Sequence, residues 1–266
     1  AIADKKEIPV IASVATNDQL TAKREFANRV CFTDSFQGEV VANYAKAQAY
    51  KTAVVVVDQS QVYSLGLAKA FETAFKKNGG EIVKTIKITS GDKDFKAVVS
   101  QIKETNPDFM FLPLYHPEAS MIARQSKQLG LEKPMFSGDG VANQTFIDLG
   151  GDAVNGYMFT DFFDYTNPPS QKSADFVAYH EKETGKAEMN SFTALGADTY
   201  NILIDAMNRC EDPTNSVCIN EQIKKTTDFD GVSGKITINK EGNATRSAVI
   251  KEVKDGKAVF KATVNP

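Results

Sequence analysis

The chain alternates between short continuous apolar runs and longer stretches in which apolar residues recur every three or four positions. Residues 52–57 carry Val54, Val55, Val56 and Val57 in succession, the pattern of a strand covered on both faces. Residues 8–12, 81–89, 108–114 and 134–136 read as further strands. Between them lie helical patterns. Residues 37–49 place Val40, Val41, Tyr44 and Ala45 on one face, and residues 67–78 place Ala70, Phe71, Ala74 and Phe75 at helical spacing. Gly79 and Gly80 close the latter as a C-cap. Helices are also predicted at 95–105, with Asp92 or Asp94 placed to cap it, and at 117–129. Strand followed by helix, repeated in this way, predicts an α/β fold with a doubly wound, mainly parallel sheet and right-handed crossovers.

The pattern changes near Asp161, Phe162, Phe163, Asp164 and Tyr165. A turn-rich stretch at 166–170 precedes helical segments at 171–184, 192–209 and 220–227. Then β structure returns. A strand at 234–238 leads to a turn at Glu241, Gly242 and Asn243, and strands at 248–253 and 258–264 flank a hairpin signal at Asp255 and Gly256.

With 266 residues the chain can form two units of ordinary domain size. A hydrophobic share of 42% and a charged share of 24% match a globular profile. The formal net charge of -3, without a basic block, gives nucleic-acid binding no electrostatic support. No apolar run approaches the roughly 18 residues that a membrane-spanning helix needs. The start, Ala1 to Glu7, is too charged for a signal peptide, which fits a processed chain or a fragment. Among the three cysteines, Cys210 and Cys218 flank a turn-rich stretch whose length suits a small disulfide loop; two unpaired thiols are the alternative. A disulfide there implies an oxidising compartment. Cys31, between Val30 and Phe32, reads as a small buried apolar residue and not as a nucleophile.

Two strand ends carry the candidate chemistry. Leu114, Tyr115, His116, Pro117 and Glu118 follow one apolar run; Gly138, Asp139 and Gly140 follow the next. In an open parallel sheet, ligands sit outside the carboxyl ends of the strands. An aromatic wall beside a fixed carboxylate suits a small ligand with an ammonium group. Asp139 could instead cap a helix beginning near Val141. His116 and His180 lie far apart with no ligand-spaced partners, so no metal site is expected, and no cofactor. No nucleophile elbow, phosphate loop or dinucleotide fingerprint is present, and Glu118 with Asp139 has no further support as a catalytic pair. The chain is not expected to be an enzyme.

Several motifs in order resemble the branched-chain amino-acid binding proteins of bacterial ABC transporters, which are type I periplasmic binding proteins. They are the strand and loop from Pro9 to Asn17; Phe36, Gln37 and Gly38; Tyr63, Ser64, Leu65 and Gly66; Asp92 to Phe95; Tyr115 to Glu118; Gly138 to Asn143; and Gly231 to Gly242. The resemblance implies two α/β lobes, residues 1–33 with 165–230 and residues 34–164 with 231–266. It also implies further β-α units ahead of the first strand, which this chain lacks, so the first lobe is expected to be incomplete. The chain is then a fragment of a longer protein or a shortened form, and the missing part would supply donors to a ligand carboxylate.

The same resemblance implies ligand-binding roles for Val14, Thr16, Tyr63, Tyr115, Asp139 and Phe192. Thr16 and the Val14 carbonyl would hold the ends of an amino acid, Asp139 its ammonium, Tyr63 and Tyr115 its backbone face, and Phe192 its side chain. Thr16 could instead cap the next helix, Tyr63 could be an exposed loop residue, Tyr115 an aromatic plug at a sheet edge, and Phe192 plain core. The implied function is to bind an apolar amino acid outside the cytoplasm by hinged lobe closure and hand it to an ABC permease in the membrane, as a monomer if full length. The implied place is periplasmic or extracellular, with a lipid anchor to the outer face of the cell membrane as one form. A sensory module of the same fold, for an amide, short acid or aromatic ligand, is the alternative.

Overall fold

The structure, a computed structural model, describes residues 2–266; Ala1, where the first expected lobe segment begins, lies outside the described residues. The chain divides into two compact units. One comprises Ala1–Thr33, Phe162–Ala248 and Thr263–Pro266; the other comprises Asp34–Asp161 and Val249–Ala262.

The second unit is built on a seven-stranded sheet. Its strands lie in the order Lys257–Val264, Ala248–Lys254, Met158–Asp161, Met135–Ser137, Phe109–Phe111, Thr52–Asp58 and Glu81–Ile88. The last five are parallel, and Ala248–Lys254 runs antiparallel to Met158–Asp161. The valine run of Thr52–Asp58 is an interior strand, next to the edge strand Glu81–Ile88, and is buried, as its lack of a polar face predicts. Against one face of the sheet, Phe71 packs on Phe111 with ring centroids 4.2 Å apart and on Phe75 at 5.2 Å. Asp255 and Gly256 both take positive φ, 50° and 76°, as a two-residue hairpin turn requires.

Several boundaries differ from expectation. The helix predicted from residue 67 runs Val62–Lys77, which brings Tyr63 into its first turn. Neither Asp92 nor Asp94 is the N-cap of the Lys96–Thr105 helix; that residue is Phe95, although Asp94 Oδ1 accepts from Lys96 N at 3.1 Å. The helix considered near Val141 begins at Gln144 and runs to Gly150, and the Met158–Asp161 strand has no counterpart in the sequence pattern.

The first unit contains a parallel pair, Val10–Ala12 with Ala27–Arg29, an antiparallel group of three short strands, and the helices Gln171–Thr184, Ser191–Asn208 and Ser216–Lys224. Residues 162–164, 231–248 and 263–266, expected in the second lobe, group here instead. Hydrogen bonds explain this. Asp198, on the Ser191–Asn208 helix, accepts from Val232 N at 2.6 Å and Ser233 N at 3.0 Å. Arg246 is buried and donates to the carbonyls of Phe162 and Ser233, each at 2.9 Å. Cys210 and Cys218 form a disulfide with Cα atoms 6.1 Å apart, joining two helices. Cys31 is fully buried, its Sγ 3.3 Å from the Ala15 carbonyl.

Candidate functional site

The five parallel strands reverse their order of addition between Thr52–Asp58 and Phe109–Phe111. At such a switch point the loops leaving two neighbouring strands diverge to opposite faces, which opens a crevice at their carboxyl ends. Tyr63 follows the first of these strands and Tyr115 the second. Their rings stack with centroids 5.0 Å apart and planes inclined by 27°. Tyr63 is 6% exposed and Tyr115 is 42% exposed, so one ring is the floor and the other faces solvent.

Asp139 follows the next strand, Met135–Ser137, and is also only 6% exposed. It begins a 3-10 turn, Asp139–Val141, and its side chain does not cap that turn. The cap of the Gln144–Gly150 helix is Asn143, whose Oδ1 accepts from Phe146 N at 3.0 Å. That leaves the Asp139 carboxylate for other partners. Gln37 Nε2 donates to Asp139 Oδ1 at 2.9 Å, and Asp139 N donates back to Gln37 Oε1 at 2.7 Å. Gly140 N donates to the Tyr63 hydroxyl oxygen at 3.0 Å. Burial raises the Asp139 carboxyl to about 6; hydrogen bonds from Gln37 and Tyr63 oppose the rise, and the Asp161 charge adds to it. Burial also raises Tyr63 well above the ordinary phenol value, with Asp139 adding to the shift.

Gly138 and Gly140 are required by space. A Cβ at Gly138 would lie 2.5 Å from the Tyr63 hydroxyl and 2.7 Å from Gln37 Oε1; one at Gly140 would lie 2.7 Å from the Leu114 carbonyl. The result is a buried acid at the edge of a tyrosine pair. Such an arrangement can accept charge-assisted hydrogen bonds from an ammonium group and shield it with aromatic faces.

The structure thus brings Tyr63, Tyr115 and Asp139 together in the second unit. Val14, Thr16 and Phe192 belong to the first. Val14 is half-buried in the bend after the Val10–Ala12 strand, and Thr16 is buried two residues on. Asn17, not Thr16, caps the following turn, its Oδ1 accepting from Gln19 N at 3.0 Å. This loop is pinned by the buried Arg29, which donates to the carbonyls of Ala15 at 2.9 Å and Asn17 at 2.8 Å. Phe192 is half-buried in the first turn of Ser191–Asn208, its ring 6.1 Å from that of Phe162.

Gln37 and Thr160 were not among the expected site residues. Thr160 Oγ1 donates to Gln37 Oε1 at 2.5 Å, and both side chains are fully buried. One signal for Gln37 exists: it shares a helical face with Val40, Val41 and Tyr44, an unusual place for a polar residue unless it has buried partners.

Comparison with known proteins agrees with this architecture. The Leu/Ile/Val-binding protein BraC3 of Rhizobium johnstonii is 30% identical over 239 residues, which cover 89% of this chain and 64% of the relative. The Leu/Ile/Val-binding protein of Escherichia coli K12 is 29% identical over 245 residues, 91% of this chain and 64% of its own length. The chain therefore spans just under two thirds of these curated relatives. The crystal structure of the leucine binding protein LivK from Thermotoga maritima superposes with a TM-score of 0.96 at 37% identity, covering 100% of this chain and 75% of that one. LivJ from Streptococcus pneumoniae, solved in complex with isoleucine, gives a TM-score of 0.89 at 29% identity, covering 99% of this chain and 74% of its own. Residues 1–258 match the family described as periplasmic binding protein, and the chain belongs to that family, with the type I fold.

Proposed function

We propose that this chain binds an α-amino acid with an apolar side chain outside the cytoplasm and presents it to an ABC permease in the membrane, the full-length protein acting as a monomer. The observation that carries the reading is Asp139. A carboxylate costs free energy to bury, and this one is buried beside two stacked tyrosines at the switch point of the sheet. A cationic ligand group offsets that cost, and the α-ammonium is the cation every amino acid carries. The names of the relatives support an apolar amino acid: Leu/Ile/Val-binding proteins, and a neighbour holding isoleucine. Val14 and Thr16 are proposed to hold the polar ends of the ligand, and Phe192 to meet its side chain.

The reading is tested by thermal shift against the common amino acids, followed by calorimetry on those that raise the melting temperature. Leucine, isoleucine or valine should bind without being consumed. A chain that binds none of them, or that turns one over, contradicts the proposal.

A further inference from the structure

We propose that Gln37 is a positioning residue that holds Asp139 in the orientation and ionised form an α-ammonium requires. Through Asp139 it would set the preference for an amino acid over the same molecule without its amino group. This rests on the function proposed above and deepens it.

The geometry leaves the Gln37 amide one orientation. Its Oε1 takes two hydrogen bonds, from Asp139 N at 2.7 Å and from Thr160 Oγ1 at 2.5 Å. A flipped amide would set its NH2 group against the Asp139 backbone N–H, which can only donate. Nε2 is therefore committed to Asp139 Oδ1, at 2.9 Å. The pair of bonds between Gln37 and Asp139 forms a closed ring that fixes the aspartate side chain against its own backbone.

The same bond acts on charge. A donor to a carboxylate favours the ionised form. Several groups bear on this carboxylate. Tyr63, from the Val62–Lys77 helix, donates to it, while Asp161, from the Met158–Asp161 strand, opposes its ionisation and is itself paired with Lys251 at 2.8 Å. Asp34, on the same helix as Gln37, and Asp139 both act on the phenols of Tyr63 and Tyr115. Burial is the largest influence and works against ionisation. Gln37 thus acts with Tyr63 and the Asp139 backbone amide as a neutral donor that favours the charged form of a buried acid among other acids. Removing it should raise the pH at which Asp139 ionises and weaken only ligands that need the charge.

The test is calorimetry on this chain with L-leucine and with its hydroxy-acid analogue, 4-methyl-2-hydroxypentanoate, across pH 5 to 8. The variants are Gln37→Met, Asp139→Asn and the double variant. Gln37→Met should weaken leucine about 10- to 100-fold, the range expected for a hydrogen bond to a charged group, and leave the hydroxy acid nearly unchanged. The pH midpoint below which leucine affinity falls should move upward, and in the Asp139→Asn background the loss should vanish. A folded Gln37→Met protein that keeps both the preference for leucine and the midpoint overturns the inference. If Gln37→Met does not fold, Thr160→Val is read instead. It removes one of the two bonds that orient the amide and should lower the preference for leucine severalfold; an unchanged preference overturns the inference. A parent protein that binds no amino acid defeats the proposed function itself. A parent that binds beside a Gln37→Met variant that discriminates equally well defeats this inference alone.

Discussion

Tyr63 and Tyr115 lie on separate β-α connections, yet their rings stack at 5.0 Å with one buried and one open to solvent. The buried ring also takes the Gly140 amide as a donor at 3.0 Å, so it couples the aromatic wall to the loop that carries Asp139. The two tyrosines should therefore respond differently to substitution. Tyr63→Phe keeps the stack but strands a partly buried amide, and should cost about 1 kcal/mol of stability together with a loss of ligand affinity. Tyr115→Ala should leave the melting temperature almost unchanged, because much of the ring is already exposed, and still weaken an ammonium-bearing ligand by about 1–2 kcal/mol. Thermal melts beside calorimetry separate the two.

Gly138 is a sharper probe, because its backbone carries no glycine-only requirement. Its φ of -85° is open to any L-residue. Gly138→Ala therefore acts by space alone, pressing on the Tyr63 hydroxyl and Gln37 Oε1. We predict a destabilisation of about 1–3 kcal/mol, the usual cost of overpacking, and a larger proportional loss of ligand binding. Equal affinity in Gly138→Ala would show that this contact lies outside the binding surface.

The raised Asp139 carboxyl gives stability a definite dependence on pH. A carboxyl near 6 in the folded protein, against an ordinary value of 3.8, binds its proton more strongly folded than unfolded. Its contribution to stability is full below about pH 4 and is lost as the pH rises through about 6. Asp139→Asn, which cannot ionise, should accordingly melt higher than the parent above pH 6 in the absence of ligand. Binding of an ammonium runs the other way, because it needs the ionised form, so ligand affinity should fall as the pH drops below about 6. Melting curves of parent and variant from pH 4 to 8 check the sign.

The Cys210–Cys218 disulfide spans a sequence separation of 8 and lies wholly in the first unit. On the chain-entropy model a loop so short stabilises by roughly 2–3 kcal/mol. Reduction, or the double substitution to alanine, should lower the melting temperature by that measure. It should leave the spectroscopic environment of Tyr63 and Tyr115 intact, since both belong to the other unit.

What could be read in the chain before its structure follows a physical division. Interior strands announce themselves when both faces are apolar, as in Thr52–Asp58. The strand Met158–Asp161 is equally buried but ends in Thr160 and Asp161, whose burial depends on Gln37 and Lys251. In a strand this short, Thr160 and Asp161 break the apolar run, and their distant partners leave no mark on the local pattern. Tyr115 and Asp139 stand out as candidates in the sequence because each follows an apolar run, whereas the roles proposed for Val14, Thr16, Tyr63 and Phe192 rest on resemblance. The placement of residues 231–248 turned on Asp198 and Arg246, long-range contacts that no periodicity reports.

Calorimetry of the parent and Asp139→Asn with L-leucine at pH 7.5 addresses the role of the buried acid most directly. The parent should bind, and the variant, which keeps the shape but not the charge, should lose about 2–5 kcal/mol of affinity, as expected when one partner of a buried charge pair is removed. Equal affinity of the two proteins would contradict the assignment of Asp139 to the ammonium group.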